Sequence, residues 1–234
     1  MLLFGVIGLN ARAAEISIRA SGSSPDLAFA RYIASNGEGD PFEKSGTVII
    51  SIEASLPELY KSAAVLAVRT PDEDERGDLH IVQIAGDGTV TAEVIDRVFA
   101  MREQIDLLPL SSIAITPVNY KFHLAGKVKT GGSSAYIYDI TPKKNRPGLV
   151  LGQLWMDSGS GQEVMLSGRV MNLPDTSGPV NVVRDTKLAN GSAFARVTHV
   201  AWSMPRLGRA EVVITEIVLT SGMVPQPERL DVGQ

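Results

Sequence analysis

The second half of the chain constrains it most. From Tyr120 to Leu219 it reads as strand, turn, strand, turn, six times over. The candidate turns are Gly131-Gly132, Asn145 to Gly148, Asp157 to Gly161, Pro174 to Gly178, Asn190-Gly191 and Met204 to Gly208. Loops this short join antiparallel neighbours, because a parallel crossover needs a dozen or more residues. The region is therefore a single antiparallel meander. Its natural twist tends to curl it into a barrel or half-barrel.

Two helices and three strands are expected ahead of the meander. Ser24 or Asp26 caps a short helix from Pro25 to Ala34, with Leu27, Ala30, Tyr32 and Ile33 on a loosely apolar side. Asn36-Gly37-Glu38-Gly39-Asp40-Pro41 ends it. Thr47 to Ala54 alternates Val48, Ile50 and Ile52 with Ser51 and Glu53, the period of a strand. Pro57 then marks a bulge or an edge. Further strands run from Tyr60 to Arg69 and from Leu79 to Ala85, separated by a charged, solvated loop from Asp72 to Asp78. Thr91 to Ile105 is the clearest helix: Val94, Ile95, Val98, Phe99, Arg102 and Ile105 recur at helical spacing. Thr91 or Thr89 caps it, and its apolar side must lie on one face of the sheet. Leu107 to Thr116 reads as a connector.

The meander strands alternate only in part. Tyr120, Phe122 and Leu124 stand opposite Lys121 and His123, and Val164, Leu166 and Val170 opposite Glu163, Ser167 and Arg169. Such strands put one face inside and the other in water. Leu149 to Asp157 is apolar on both sides, which predicts a central strand covered twice.

Composition narrows the function. With 234 residues, 44% apolar and 21% charged, the chain has ample length for one all-β domain. A net charge of −4 without a basic face argues against nucleic acid, and 6% aromatics is too thin for base stacking. No cysteine is present, which excludes disulfides, thiolate metal sites and cysteine nucleophiles. His80, His123 and His199 fall on three separate strands at no metal-ligand spacing, so no metal is expected. Gly-x-Ser-x-Gly is absent, and no catalytic residue emerges. Asp157-Ser158-Gly159-Ser160-Gly161 joins two strands and opens no helix, so it is no phosphate cradle. Gly86-Asp87-Gly88 reads as a turn and helix cap. Lys143, Lys144 and Arg146 form a basic cluster, read as a solvated turn or as a contact for anionic headgroups.

The N-terminus bears on location. Met1 to Leu9 is apolar, and Ala11-Arg12-Ala13 before Ala14 has the form of a signal-peptidase site, though a basic n-region is missing. The other reading is a buried first strand. The run is too short to span a bilayer, and nothing after residue 20 is long and apolar enough to do so. Residues 1–20 are thus expected to be a leader, 21–220 one domain and 221–234 a flexible tail.

Several segments together resemble a known family. They are Asn119-Tyr120-Lys121-Phe122, then Ile140-Thr141-Pro142-Lys143-Lys144, Gly148-Leu149, and Gly152-Gln153-Leu154-Trp155-Met156-Asp157. In this order they resemble exported relatives of the LolA/LolB-type periplasmic lipoprotein carriers, over about residues 25 to 219. The resemblance implies a mainly β fold: a curved antiparallel sheet forming an unclosed barrel, with one or two helices on its concave side. It implies acyl chains held between helix and sheet in a cell-envelope protein. It also implies a strand arginine that holds the lid, which no arginine here matches securely.

The expected function follows from this. The chain would be a non-enzymatic, exported binder of an apolar ligand, either an acyl chain or a lipidated partner, without a cofactor. Phe99, Phe122, Leu154, Met156 and Leu166 are the candidate cavity residues; such residues also build plain core. The alternative is an envelope scaffold or protein-interaction module with a filled core.

Overall fold

The structure is a computed structural model that describes residues 24–36, 46–70, 78–130, 133–173 and 178–219. The expected leader and tail lie outside these residues, as do the charged loop up to residue 77, Gly131-Gly132 and residues 174–177.

Three strands precede the long helix: β1 (Val48–Leu56), β2 (Lys61–Thr70) and β3 (Asp78–Gly86). Seven follow it: β4 (Tyr120–Thr130), β5 (Ser133–Pro142), β6 (Val150–Asp157), β7 (Glu163–Val170), β8 (Val180–Ala189), β9 (Ser192–Met204) and β10 (Gly208–Val218). The six breaks between β4 and β10 coincide with the six turn signals. All ten form one antiparallel sheet in the order β3-β2-β1-β10-β9-β8-β7-β6-β5-β4. The sheet is an unclosed barrel whose edges are β3 and β4. Two meanders meet where β1 pairs with β10, with Ile52 opposite Ile214.

Gly152 of β6 lies opposite Gly168 of β7. A Cβ on Gly152 would stand 2.0 Å from the Ser167 carbonyl oxygen and 2.6 Å from Gly168 Cα. The two backbones approach more closely there than any side chain would permit.

Helix α1 (Pro25–Asn36) starts as its sequence suggests, with the Leu27 amide donating to Ser24 Oγ at 3.1 Å. Its buried side differs from the expected one. Ala28 and Tyr32 are buried, Phe29 and Ile33 pack beside them, and Leu27 and Ala30 face out. The inward stripe is therefore 28/29/32/33, the i, i+1, i+4, i+5 positions of one face. Pro57 makes neither bulge nor edge: it opens a 3-10 turn, Pro57–Leu59, that links β1 to β2, with Tyr60 left-handed at φ 54°.

Helix α2 spans residues 88–106. It begins with a short α-turn (Gly88–Val90), passes through a π-helical segment (Thr91–Ile95) and continues as α-helix (Asp96–Asp106). Its cap is Asp87, not either threonine. Asp87 Oδ1 accepts from the Thr89 amide at 2.8 Å and the Val90 amide at 3.3 Å. An extended Asp at Ncap reaches these two amides directly, so the helix starts three residues earlier than its apolar periodicity suggests. The expected connector contains a short helix, α3 (Leu110–Ile113).

The inner face carries two cores. In the first, Val90, Val94 and Ile95 of α2 pack on β1, β2 and β10. In the second, Ala28 and Tyr32 of α1 pack on β4 to β8. Strand β6 lies in this second half, two strands in from the β4 edge, rather than centrally. Nor is it covered twice. Its outward Leu151, Gln153 and Trp155 are half-buried, and Trp155 Nε1 donates to Gln153 Oε1 at 3.4 Å.

Candidate functional site

The site grows from the way α1 and the α2–α3 segment meet the sheet. An aromatic group seats α1: Phe29 stands edge-on to Phe122 at 4.9 Å and lies 5.5 Å from Tyr138. Tyr138 Oη donates to the Pro25 carbonyl at 3.1 Å. Burial pushes the Tyr138 phenol pKa up, with Asp26 and Tyr136 adding to it.

The turn after β6 completes the seat. Asp157 Oδ1 accepts from the Gly159 and Ser160 amides at 3.1 and 2.7 Å and from Ser160 Oγ at 2.8 Å. Gly161, at φ 75°, lets the α1 backbone approach: a Cβ there would lie 2.6 Å from the Ala28 carbonyl oxygen. Arg31 donates to the Gly159 carbonyl from the other side. The Gly/Ser-rich stretch is thus a helix seat.

Asn119 places the opposite wall. Its side-chain amide donates to the Ser111 and Ala114 carbonyls, both at 2.9 Å, and so fixes α3 and the segment behind it. This brings Ile113 and Ile105 over the start of β6. A Cβ on Gly148 would lie 3.7 Å from Ile105 Cγ1 and 4.0 Å from Ile113 Cγ2.

Between α1, these helix ends and the sheet lies a half-open cavity of about 300 Å³. Ile105, Ile113 and Ile115 supply apolar groups from the helical side, and Val150 and Leu166 from the sheet. The strand floor beneath is polar, with Glu163, Arg184, Thr186 and Arg196.

Strand register explains this floor. One inward row runs through Ala67, Ile50, Glu216, Arg196 and Thr186 on β2, β1, β10, β9 and β8. It is apolar under α2 and polar where the two cores part. Arg184 grips Glu163 with two parallel bonds, Nε to Oε1 at 2.7 Å and Nη2 to Oε2 at 2.8 Å. Arg196 Nη1 stands 3.8 Å from Glu216 Oε2, with both side chains buried. Thr186 is 6% exposed, and its Oγ1 has no hydrogen-bond partner among the described residues.

Tyr120 closes one end. It is 1% exposed, and its hydroxyl accepts the Val150 amide at 3.0 Å. Burial pushes its pKa up to about 12, against smaller opposing effects of that amide and of the Arg184 charge. Its phenol is therefore a neutral hydroxyl at any physiological pH.

The five cavity candidates do not assemble into one wall. Leu166 lines the cavity. Leu154 and Met156 are fully buried within the second core, and Phe122 packs against it. Phe99 packs against the first core instead, because α2 lies on the other half of the sheet. The residues that sequence reasoning missed are the polar floor and Tyr120. One signal was present: Glu216 shares the inward parity of Val212 and Val218, and a charge there interrupts an apolar face. His80, His123 and His199 are all exposed on separate strands, and the described residues hold no group of three or more metal-ligating side chains. No described helix is long and apolar enough to cross a membrane.

No protein-family model and no curated protein matches this chain. Among solved structures it is similar to a LolA superfamily protein from Nitrosomonas europaea, with 9% identity and a TM-score of 0.38, over 86% of this chain and 94% of that one. It is also similar to a DUF1329 family protein from Desulfovibrio piger, with 10% identity and a TM-score of 0.38, over 82% and 90%. A third is MucB, with 11% identity and a TM-score of 0.29, over 83% and 92%. The superfamily found is the one the sequence resembles. At these values the likeness carries no argument about what this chain does.

Proposed function

We propose that this chain is a non-enzymatic binding protein that takes an acyl chain, free or on a lipidated partner, into the cavity between its two cores. The observation that supports it is the cavity itself. Its volume is in the range of small-ligand sites, and isoleucines from two separate elements converge on it. Each methylene moved from water into such a space contributes about 0.8 kcal/mol, so a short chain suffices for useful binding. The helical side can move to admit it, because among the described residues the side-chain hydrogen bonds that tie α3 and the segment behind it to β4 are those of Asn119.

The test is to fill the space. Leu166→Trp should weaken binding of a fluorescent fatty acid while a thermal melt shows the fold intact. Ser167→Trp, on the opposite face of β7, should leave binding unchanged. Should Leu166→Trp unfold the protein, Ile113→Trp enters the same space from α3. Failure of the unmodified protein to bind any fatty acid would remove the proposal.

The cell envelope belongs to this reading as the location, resting on residues 1–20. N-terminal sequencing of the mature protein from its native host should begin near Ala14. Recovery of the intact chain from the cytosol would remove that part.

The interaction-module alternative has one observation of its own. Strand β3 forms an edge of the sheet, and its Ile81, Val82 and Ile84 are each at least 50% exposed. Edge strands of this kind are normally protected or paired. A protein that binds no lipid would return attention to this edge.

A further inference from the structure

We propose that the corner formed by the start of β4 and the β5–β6 turn docks this protein on an anionic lipid bilayer. The proposal does not depend on acyl binding in the cavity. It stands on a local excess of positive charge and on two apolar side chains beside it.

The whole chain carries −4, yet residues 107–156 hold six lysines and arginines against one acidic residue, Asp139. Four of the six, Lys121, Lys143, Lys144 and Arg146, lie at this corner, because Lys121 pairs in register with Thr141, two residues before Lys143. Among the described residues none of these four stands within ion-pair distance of a carboxylate, whereas Lys61, Arg102 and Arg209 elsewhere on the surface are each paired. The nearby carboxylates are engaged: Asp139 accepts from Gln153 Nε2 at 3.0 Å, and Asp106 stands 3.6 Å from Arg102. Exposed charges more than about 10 Å apart are largely screened at ordinary ionic strength, so negative charge elsewhere does not cancel this corner.

The turn is pinned at several points. The Lys143 amide donates to the Asn119 carbonyl at 2.7 Å, Lys143 Nζ donates to the Pro117 carbonyl, and Asn172 Nδ2 donates to Asn145 Oδ1 at 2.6 Å. Val118, between the two residues that Lys143 bonds, is 77% exposed. Leu107, equally exposed, follows by two residues Ile105, which stands over Gly148 at the other end of the turn. Among the described large hydrophobic side chains only Tyr60 is more exposed. An apolar side chain alone on a surface is ordinary. What sets these two apart is the basic turn that links them.

An acidic protein would satisfy the cations equally well, but the apolar groups favour a bilayer. Both stand at chain reversals rather than on a strand or helix face. A specific protein interface needs about 800 Å² on each partner, which single side chains at turns do not supply. Each can enter the boundary between headgroups and acyl chains by itself, while lysines and arginines around it meet the phosphates.

Co-sedimentation with vesicles of phosphatidylglycerol and of phosphatidylcholine tests this. The unmodified protein should bind the first far more tightly, and should release as salt rises to about 1 M, where screening acts within about 3 Å. Lys121→Gln and Lys144→Gln should each lower the partition coefficient about fivefold. Val118→Ser should weaken it further without altering the thermal melt. Lys187→Gln makes the same charge change near the β8–β9 turn, at the other end of the strands, and should leave binding almost unchanged. A cavity-filling variant that keeps its fold, Leu166→Trp or Ile113→Trp, should bind vesicles as the unmodified protein does. Loss of vesicle binding in that variant would mean extraction of a lipid into the cavity rather than docking, and would overturn the proposal. Equal losses in Lys187→Gln and Lys144→Gln would overturn it as well. Binding to polyglutamate but not to phosphatidylglycerol vesicles would assign the corner to an acidic protein instead, and no binding to either would leave it a solvated turn.

Discussion

At the scale of single residues, this protein uses carboxylates as local organisers. Asp157 gathers its own turn so that α1 can sit on it, Glu163 holds Arg184 in place on the cavity floor, and Asp87 starts α2. Asp87 gives a pH-dependent prediction. Its partial burial alone would raise its pKa. That effect is outweighed by Lys61 and by the Thr89 and Val90 groups that bond it, so the pKa lies below the ordinary 3.8. A carboxylate whose pKa is lowered by folding contributes stability that is present above its unfolded pKa and is lost as pH falls through the folded value. Asp87→Asn keeps an acceptor at Ncap but removes the titration. The melting temperature of the unmodified protein should therefore fall more between about pH 6 and about pH 3 than that of Asp87→Asn. Equal losses would show that the Asp87 charge does nothing for the helix.

At the scale of elements, legibility follows how local the determinant is. The turns of the second half were readable because each is written in Gly, Asn or Pro at the site where the chain reverses. The strands of the first half were readable because Val48, Ile50 and Ile52 alternate against polar neighbours. Helix starts were half-readable. Ser24 sits where a cap should, but Asp87 lies three residues ahead of the apolar pattern and was passed over for Thr89 and Thr91. The face of α1 was misread because Leu27 and Ala30 are as apolar as Ala28 and Phe29, and only the seat formed by Gly161, Phe122 and Tyr138 decides between them. Strand β6 shows the same limit. Apolar residues on both faces suggested two coverings, yet Trp155 and Leu151 are left half-exposed on the outside. Of the cavity, only Leu166 was readable. Its floor depends on β8, β9 and β10 aligning Thr186, Arg196 and Glu216 in one row, and its roof on α3 being fixed by Asn119. The row is set by register across three consecutive strands, and Asn119 reaches back only five and eight residues to Ala114 and Ser111, a side-chain contact that no hydrophobic period records.

At the scale of the whole molecule, the question is whether two cores make one domain. The early meander and the late one are far apart in sequence and are hydrogen-bonded in the sheet through β1 and β10, while α2 and α3 carry the chain from the β3 edge to the β4 edge. Each end of the sheet has its own helix and its own cluster of buried residues, although the first cluster also draws Val180, Trp202 and Val212 from the late meander. Against this, the ladder of backbone hydrogen bonds is continuous across all ten strands, and Val170 and Val200 pack against both clusters. We expect these shared contacts to bind residues 21–220 into one cooperative unit. The two tryptophans suit the test, since Trp202 is buried in the first core and Trp155 lies on β6 beside the second. In a Trp155→Phe background the remaining indole reports the first half, and in Trp202→Phe the second. Ile52→Ala and Leu154→Ala each delete a buried side chain from one core and should each cost about 2–5 kcal/mol. In urea, both indoles should show the same midpoint, and either core substitution should move both midpoints together. A midpoint that moves only in the half carrying the substitution would mean that the halves unfold separately. The cavity would then lie between two units rather than within one, and its volume would depend on how they dock.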